Sequence, residues 1–339
     1  MIESALATLQ QGKDLSADTM QSLIDGMLQG AIEDSQIASL LLALRDKGEC
    51  VDELVGAARA LRSHMIPIRT HRPGLLDTCG TGGDGAKTFN ISTAVAIVAA
   101  AAGVPVAKHG NRKITSATGS ADVLEQLGIR IDIPRDKVEA CIDQLGIGFC
   151  FAPLLHPAMR HVGSVRRSLG VPTLFNYLGP LCNPAQAPYQ ILGVGKQGLH
   201  QKIAEALSQL PIQRAIVVRG RDGLDEVTLM DETEVLIVRP GQVTSECWTP
   251  ELFGLSTIDA RSLHAENPEE SANVIRSVLK GQRGGPRDIV VANTAAALWI
   301  TEKVADLRTG VDLACEAIDS QNALHLLSQL AAFTQSAAA

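Results

Sequence analysis

From about residue 73 onwards, short apolar segments alternate with helical patterns, and this alternation restricts the possible fold more than any other feature. Strand candidates such as VPVAKHG, IGFCFAP and RAIVVRG are separated by amphipathic segments such as SADVLEQLG and DKVEACIDQLG. EVLIVRP and RDIVVANTAAALWI repeat the pattern of a strand followed by a turn or a helix. The alternation predicts a mostly parallel sheet flanked by helices. Binding sites in such sheets lie at the carboxyl ends of the strands.

The first 66 residues have a different character, because apolar residues recur there at three- and four-residue spacing. We therefore expect an α/β protein with a small all-helical N-terminal domain over residues 1–70. A larger α/β catalytic domain is predicted over residues 71–154 and 186–335, and a helical segment at 155–185 is expected to return to the small domain. The wide apolar stripe formed by Leu40, Leu41, Leu42 and Leu44 suggests that the helical layer dimerises.

The glycine-rich stretch CGTGGDG follows the strand candidate LLDTCG and indicates a phosphate-binding loop. Gly80, Gly82 and Gly85 match the G-x-G-x-x-G spacing of dinucleotide-binding loops. Those loops need an acidic residue about 20 positions further on to bind the ribose. No Asp or Glu occurs between Asp84 and Asp122. The Walker pattern is also absent, so neither a dinucleotide nor ATP is favoured.

The same acid-free interval is rich in basic, hydroxyl and amide side chains, although the whole chain carries a net charge of -7. The basic residues are Lys87, Lys108, Arg112 and Lys113. The buried helix STAVAIVAAAAG is predicted to begin at an N-cap formed by Ser92 or Thr93, which directs free N–H groups and a helix dipole at the glycine loop. KHGNRKITSATGS forms a second anion loop. Two such loops suit a ligand with phosphates at both ends.

Asp225 and Glu226 stand together just after the strand candidate RAIVVRG. Adjacent carboxylates near phosphates bind Mg²⁺ through a few protein oxygens, water and phosphate oxygens. The same pair is equally typical of a charged surface turn, and Asp222 is expected to belong only to that turn.

Bulk properties exclude several other classes of protein. A net charge of -7 argues against generic binding to nucleic acid or to an anionic membrane. The polar N-terminus does not resemble a secretory signal, and the longest apolar run, residues 94–107, is too short to span a bilayer. Seven scattered cysteines lack the spacing of a zinc site and indicate reduced thiols. We therefore expect a cytoplasmic protein.

Five motifs, in order along nearly the whole chain, resemble anthranilate phosphoribosyltransferases: DTCGTGGDGAKTFNIST, KHGNRKITSATGSADVLE, FAPLLHPAMR, VRRSLGVPTLFNYLGPLCNPA and GRDGLDE. The resemblance implies the nucleoside phosphorylase/phosphoribosyltransferase type of fold and a homodimer formed through the helical domain. It implies transfer of phosphoribose from phosphoribosyl pyrophosphate (PRPP) to the amine of anthranilate, in tryptophan biosynthesis. It also implies two Mg²⁺ ions per active site.

The resemblance assigns roles to individual residues of this sequence. Residues implied to bind PRPP are Gly80, Gly83, Asp84, Thr88, Asn90, Ile91, Ser92, Thr93, Lys108, His109, Gly110, Asn111, Arg112, Lys113, Ile114, Thr115, Ser116 and Ser120. Mg²⁺ would be held by Ser92, Asp225 and Glu226, and anthranilate by Gly80, Asn111 and Arg166. Lys108 and Arg112 are expected to act electrostatically on the departing pyrophosphate.

Some of these residues also have plain local interpretations. Arg166 suits bidentate contact with a carboxylate, but its sequence context fits a surface helix arginine beside Arg167 equally well. His109 and His156 are expected to act as positional rather than acid–base groups. Asn111 could be an ordinary turn residue.

The chain departs from the usual family pattern at a few positions. The loop after KHGNR carries a lysine at 113 and alanine at 117, where the family often has a basic residue. Pro172 stands where arginine is frequent, and Arg221 stands where histidine is frequent. The alternatives are a pyrimidine nucleoside phosphorylase, which the GNR and GPLCNPA segments disfavour, and a non-catalytic nucleic-acid-binding relative.

Overall fold

The computed structural model describes residues 1–83, 85–112 and 118–336. The N-terminal segment is helical throughout, as its spacing predicted, with α1 Ile2–Gln10, α2 Ala17–Leu28, α3 Asp34–Lys47 and α4 Val51–His64. The close approach of α2 and α4 requires a glycine at position 56, because a Cβ there would lie 2.2 Å from the carbonyl oxygen of Ala17. The buried carboxylate of Glu53 accepts hydrogen bonds from the N–H groups of Leu15 and Cys50, which joins two interhelical loops.

A seven-stranded sheet forms the centre of the second part, in the order β3-β2-β1-β4-β5-β6-β7. Its strands are β1 Leu76–Asp77, β2 Val106–Gly110, β3 Ile147–Phe151, β4 Tyr189–Gly193, β5 Arg214–Gly220, β6 Thr233–Arg239 and β7 Gln242–Trp248. The first five strands are parallel, and β6 and β7 continue the sheet as an antiparallel hairpin. The mostly parallel sheet is therefore confirmed, and the carboxyl ends of β1, β2, β4 and β5 meet at one edge.

The remaining helices cover this sheet or rejoin the N-terminal helices. They are α5 Ile91–Ala101, α6 Ser120–Gln126, α7 Arg135–Leu145, α8 Ala152–Leu155, α9 Arg160–Leu169, α10 Phe175–Leu178, α11 Gln197–Ser208, α12 Pro268–Leu279, α13 Gly285–Ile300, α14 Leu307–Asp319 and α15 Asn322–Gln335. Helix α5 is buried almost all round, as its composition predicted, and packs against α13 and α15. No helix in the described ranges has both the length and the apolar character needed to cross a membrane.

Helix α9 packs against α2 and α3, so chain from the middle of the sequence lies beside the N-terminal helices. Val162, Val165 and Leu178 share one apolar core with α1–α4, and this core continues through α11 onto one face of the sheet. The cleft between α9 and the sheet edge is thereby built from both layers. The domain division at residues 70, 155 and 185 stays a prediction.

Three local predictions were wrong. RDIVVANTAAALWI is not a strand followed by a helix, because α13 is helical through its whole length. A run that is apolar on all sides carries no period to distinguish the two, and its length of 16 residues favours the helix. Strand β7 was missed because it is a polar, exposed edge strand. Helix α5 begins after Asn90 rather than at Ser92 or Thr93.

Candidate active site

A cavity of about 920 Å³ opens where the carboxyl ends of the parallel strands face α9 and α10. Segments far apart in sequence line it: the glycine loop after β1, the start of α5, the end of β2, the stretch from α8 to α10, and the turn after β5. The predicted residues that line it are Gly80, Gly83, Thr88, Asn90, Ile91, Ser92, Lys108, His109, Gly110, Asn111, Arg112, Ser120, Arg166, Asp225 and Glu226. These predicted residues therefore lie together around one cavity.

Thr93 does not line the cavity. Its side chain is buried on α5, and its Oγ1 has no hydrogen-bond partner among the described residues. The helix begins three residues earlier than a cap at Thr93 would require, so this side chain turns into the core. Asp84 and the four loop residues Lys113, Ile114, Thr115 and Ser116 lie outside the described residues.

The glycine loop adopts backbone conformations that favour glycine. Gly82, Gly83 and Gly85 have φ values of 66°, 83° and 73°. The N–H of Thr81 donates to the carbonyl oxygen of Gly193 at 2.9 Å, which fixes the loop to the end of β4. The loop therefore brings main chain, rather than bulky side chains, to the floor of the cavity.

Lys108 is the central charge of the site. Its side chain is 4 % exposed at the end of β2. The Nζ donates to Thr78 O, Thr78 Oγ1 and Ser92 Oγ, each at 3.2 Å. In the described part of the chain it forms no ion pair with a carboxylate. A buried ammonium with only neutral partners is costly to desolvate, and an anionic ligand in the cavity would compensate it.

Asp77, at the end of β1, holds the end of the neighbouring strand β2 in place. Its Oδ1 accepts a hydrogen bond from the N–H of His109 at 3.0 Å, and the carboxyl group is completely buried. Burial raises the pKa of Asp77 to about 6, although nearby Lys108 opposes the shift. The residue fixes the backbone that carries Lys108 and His109 into the cavity.

His109 and His156 form a buried pair beside the cavity. His109 Nδ1 lies 2.9 Å from the carbonyl oxygen of Gly179, so Nδ1 carries the proton. Its Nε2 therefore accepts from His156 Nε2–H, at 3.2 Å. Burial lowers the pKa of His109 to about 3 and that of His156 to about 4. The two rings are neutral and hydrogen-bonded to each other, so they position the cavity wall and do not supply a free acid.

This pair makes stability depend on pH. The unfolded chain binds protons on both histidines below their ordinary pKa of 6.5, whereas the folded chain does not. The stabilisation of the folded state by these neutral histidines is therefore complete above pH 6.5 and is lost as pH falls towards 4. Asp77 has the opposite effect on stability: between its ordinary pKa of 3.8 and its folded pKa of about 6, its contribution increases as pH falls.

We expect His156→Gln to flatten the dependence of unfolding free energy on pH between 7 and 5, by up to about 1.4 kcal/mol per pH unit. Urea unfolding at several pH values measures the slope. The matched control is His325→Gln at an exposed position, which should leave the slope unchanged. Equal slopes in wild type and both variants would contradict a buried neutral pair.

The carboxylates Asp225 and Glu226 lie in the turn that follows β5, and both line the cavity. A Cβ built on Gly80 would lie 3.4 Å from Asp225 Oδ2, and one built on Gly193 would lie 1.6 Å from the Asp225 carbonyl oxygen. The segments after β1 and at the end of β4 thus approach this turn closely because Gly80 and Gly193 have no side chains. Asp222 accepts from the N–H of Leu224 and from Thr228 Oγ1, which confirms it as a turn residue.

Buried Asn293 on α13 fixes the far side of this turn. Its Oδ1 accepts from the N–H of Val227 at 2.9 Å, and its Nδ2 donates to the Val227 carbonyl oxygen at 2.8 Å. The sequence interpretation missed Asn293, because this contact spans 66 residues. A polar residue inside an otherwise apolar helix was the available signal.

Arg166 belongs to the end of the cavity that α9 and α10 form. It is half-buried on α9, and its guanidinium lies over the ring of Phe175, 5.4 Å from the centroid. Desolvation lowers the pKa of the guanidinium. None of the described acidic residues pairs with it. Arg160, Arg167 and Asn176 also line this end and were not singled out from the sequence.

Arg112 differs from its predicted role. Its guanidinium donates to Glu125 at 2.6 and 2.8 Å and to Asp122 Oδ1 at 3.0 Å, and it lies over the ring of Phe151. Asp122 and Glu125 are three residues apart on α6, so they share one face of that helix. In this arrangement the protein itself compensates the charge of Arg112, whereas Lys108 is a buried charge that no described carboxylate pairs with.

Comparisons with known proteins agree with this geometry. Residues 3–65 match the description "Glycosyl transferase family, helical bundle domain", and residues 72–324 match "Glycosyl transferase family, a/b domain". The anthranilate phosphoribosyltransferase of Rhodopirellula baltica is 54% identical over 327 residues, which are 96% of this chain and 96% of the relative.

Solved structures of the same kind of enzyme superpose closely. The anthranilate phosphoribosyltransferase of Thermus thermophilus is 41% identical, with a TM-score of 0.90 over 98% of this chain and 99% of its own. That of Saccharomyces cerevisiae, in complex with PRPP and Mg, is 29% identical, with a TM-score of 0.89 over 99% and 98% of the two chains. Another structure of the yeast enzyme contains 4-fluoroanthranilate.

A helical bundle joined to an α/β sheet, matched over both parts by family models, places the molecule among the family 3 glycosyltransferases. Full-length identity of 43–54% to curated members then shows the narrower group. The chain belongs to the anthranilate phosphoribosyltransferase family.

Proposed function

We propose that this protein transfers the 5-phosphoribosyl group of PRPP to the amine of anthranilate, giving N-(5-phosphoribosyl)anthranilate and pyrophosphate. This reaction is the second step of tryptophan biosynthesis from chorismate. The observation that carries the proposal is that two unlike cations line one cavity. Buried Lys108 has no carboxylate partner among the described residues and lies beside the start of α5. Arg166 lies over an aromatic ring.

The chemistry requires a stabilised leaving group rather than a strong base. The bond between ribose C1 and the pyrophosphate oxygen breaks, and a bond from C1 to the anthranilate nitrogen forms. The nitrogen then releases one proton. An aniline is uncharged at pH 7, so its lone pair is available from the start. Negative charge grows on the pyrophosphate, where Lys108 and the first N–H groups of α5 are placed to stabilise it.

The carboxylate pair fits Mg²⁺. Asp225 and Glu226 offer adjacent hard oxygen ligands beside the glycine loop, which is the donor chemistry that Mg²⁺ prefers. The hydroxyl of Ser92 accepts from Lys108 and retains a second lone pair for a metal. When bound, Mg²⁺ neutralises pyrophosphate charge and eases its departure. We propose two ions per active site, one near Ser92 and one held by Asp225 and Glu226.

The acceptor would lie against Arg166, with Gly80 and Asn111 beside its amine. The fixed guanidinium suits bidentate hydrogen bonding to the anthranilate carboxylate. Holding the amine in line with C1 adds a proximity contribution to the rate. A homodimer through the helical domain and a cytoplasmic location are part of the same proposal, as is the absence of nucleic-acid and membrane partners.

We expect Arg166→Ala to raise the KM for anthranilate by about 10- to 100-fold, because a charge-assisted hydrogen bond to a carboxylate is lost. The KM for PRPP should change much less. Steady-state kinetics with each substrate varied in turn measures both values. Arg167→Ala is the matched control, since its neighbouring guanidinium is exposed at the rim of the same cavity. Equal increases in the two KM values would refute the assignment.

Product analysis tests the function itself against its nearest rival. The wild-type protein is incubated with PRPP, Mg²⁺ and anthranilate, and separately with thymidine and inorganic phosphate. We expect phosphoribosylanthranilate and pyrophosphate from the first mixture and no free thymine from the second. Phosphorolysis of thymidine without transfer to anthranilate would identify a pyrimidine nucleoside phosphorylase instead.

A further inference from the structure

Asn90 occupies the N-cap position of α5 but does not cap that helix. An asparagine in this position normally accepts hydrogen bonds from the second or third N–H group of its helix. Here its side chain makes no such bond. In the first turn of α5, the N–H of Ile91 donates to Phe89 O at 2.7 Å and the N–H of Thr93 donates to Asn90 O at 3.1 Å. Among the described residues the N–H of Ser92 has no acceptor, so this donor at the positive end of the helix is uncapped where Ser92 lines the cavity.

Ser271, on α12, is the residue that turns the Asn90 side chain away. It is completely buried and lies 181 positions from Asn90 in sequence. Its Oγ accepts from the N–H of Asn90 at 2.9 Å and donates to Asn90 Oδ1 at 3.0 Å. Thr118 Oγ1 donates to the same Oδ1 at 2.5 Å. Two hydroxyl groups therefore occupy the oxygen that would otherwise cap α5.

The loop that precedes α12 also fixes the segment leading into Asn90. The N–H of Phe89 donates to the carbonyl oxygen of Leu263 at 2.8 Å, and that of Ala265 donates to Lys87 O at 3.0 Å. These contacts fix the backbone on both sides of Thr88, which lines the cavity. The orientation of Asn90 is therefore imposed from α12 and its preceding loop rather than by α5 itself.

We propose that Ser271 is a positioning residue that keeps the first turn of α5 open to the pyrophosphate group of the substrate. Without its hydroxyl, Asn90 Oδ1 retains the hydrogen bond from Thr118 Oγ1 but has a lone pair free to accept from the N–H of Ser92. The protein would then cap the helix in place of the anion, and the two would compete for that N–H group. This inference rests on the proposed function for the identity of the anion.

Ser271→Ala is expected to raise the KM for PRPP about five- to tenfold, which corresponds to the strength of an asparagine cap. The KM for anthranilate and the thermal midpoint of the ligand-free protein should stay close to wild type, since the released side chain finds a new partner. Ser271→Thr retains the hydroxyl and should restore the KM for PRPP. Ser277→Ala, on the same helix, is the matched control and should leave both KM values unchanged.

Two further measurements keep the inference separate from the assigned reaction. Calorimetric titration with Mg²⁺ and pyrophosphate alone should show weaker binding to Ser271→Ala than to wild type, whether or not anthranilate is converted. Thr118→Val, which removes the other donor to Asn90 Oδ1, should weaken pyrophosphate binding in the same direction. Unchanged pyrophosphate affinity in Ser271→Ala, or equal losses for PRPP and anthranilate, would overturn the inference. Absence of turnover in the wild type would overturn the proposed function alone.

Discussion

Lys108→Met should lower kcat/KM for PRPP by about 10³-fold or more while leaving the protein folded. Among the described residues, the Lys108 ammonium is the group best placed to stabilise the negative charge that grows on the pyrophosphate. Its removal from a buried position breaks no ion pair, because its three partners are two hydroxyl groups and one carbonyl oxygen. Methionine has a similar length and is less costly to bury.

The free energy of unfolding of Lys108→Met should therefore stay within about 1 kcal/mol of wild type or rise. Urea unfolding and steady-state kinetics on the same preparation measure the two effects. Lys87→Met makes the same chemical change at an exposed lysine of the cavity and should cost much less activity. Strong destabilisation of Lys108→Met, or turnover near the wild-type rate, would show that the ammonium serves the fold rather than the substrate.

Gly193→Ala is the second change expected to have a large effect. A Cβ at this position would lie 1.6 Å from the carbonyl oxygen of Asp225, so either β4 or the carboxylate turn must move. We expect the free energy of unfolding to fall by about 3 kcal/mol or more. The protein that remains folded should need a higher Mg²⁺ concentration for half-maximal turnover, because the turn carries the proposed metal ligands.

Two comparison variants separate the backbone effect from the loss of ligands. Gly198→Ala, at an exposed position in the first turn of α11 with open space around its Cβ position, should leave stability unchanged or raise it. Asp225→Asn with Glu226→Gln should change the Mg²⁺ dependence of turnover. An unaltered Mg²⁺ titration in the double variant would remove the pair as metal ligands, and a stable Gly193→Ala protein would contradict the tight approach.

Features that depend on neighbours in sequence could be predicted well. The helical spacing before residue 66, the parallel strand candidates and the glycine loop all follow from local patterns. The acid-free interval located Lys108 correctly, because charge composition is visible without a fold. The resemblance to a known family then brought Arg166 and Asp225 into the same site, which local reasoning had left undecided.

Features that depend on tertiary contact could not be predicted. The sequence indicated Arg112 as a free cation, whereas Asp122 and Glu125 reach it only once α6 is folded beside β2. Ser271 and Asn293 act across long stretches of chain, so no spacing rule could link them to the site. The predicted N-cap of α5, Ser92 or Thr93, was two or three residues too late. The observed N-cap is Asn90, whose side chain is held by Ser271.

The most direct test of the proposed function is the fluorescence of anthranilate followed over time with purified protein, PRPP and Mg²⁺. We expect a loss of fluorescence that needs PRPP, stops on addition of EDTA, and is much slower in Lys108→Met. Thermal unfolding with and without PRPP is recorded in parallel, because a bound ligand raises the midpoint. Persistent fluorescence, together with protection by PRPP, would contradict the acceptor assignment while retaining the phosphate site.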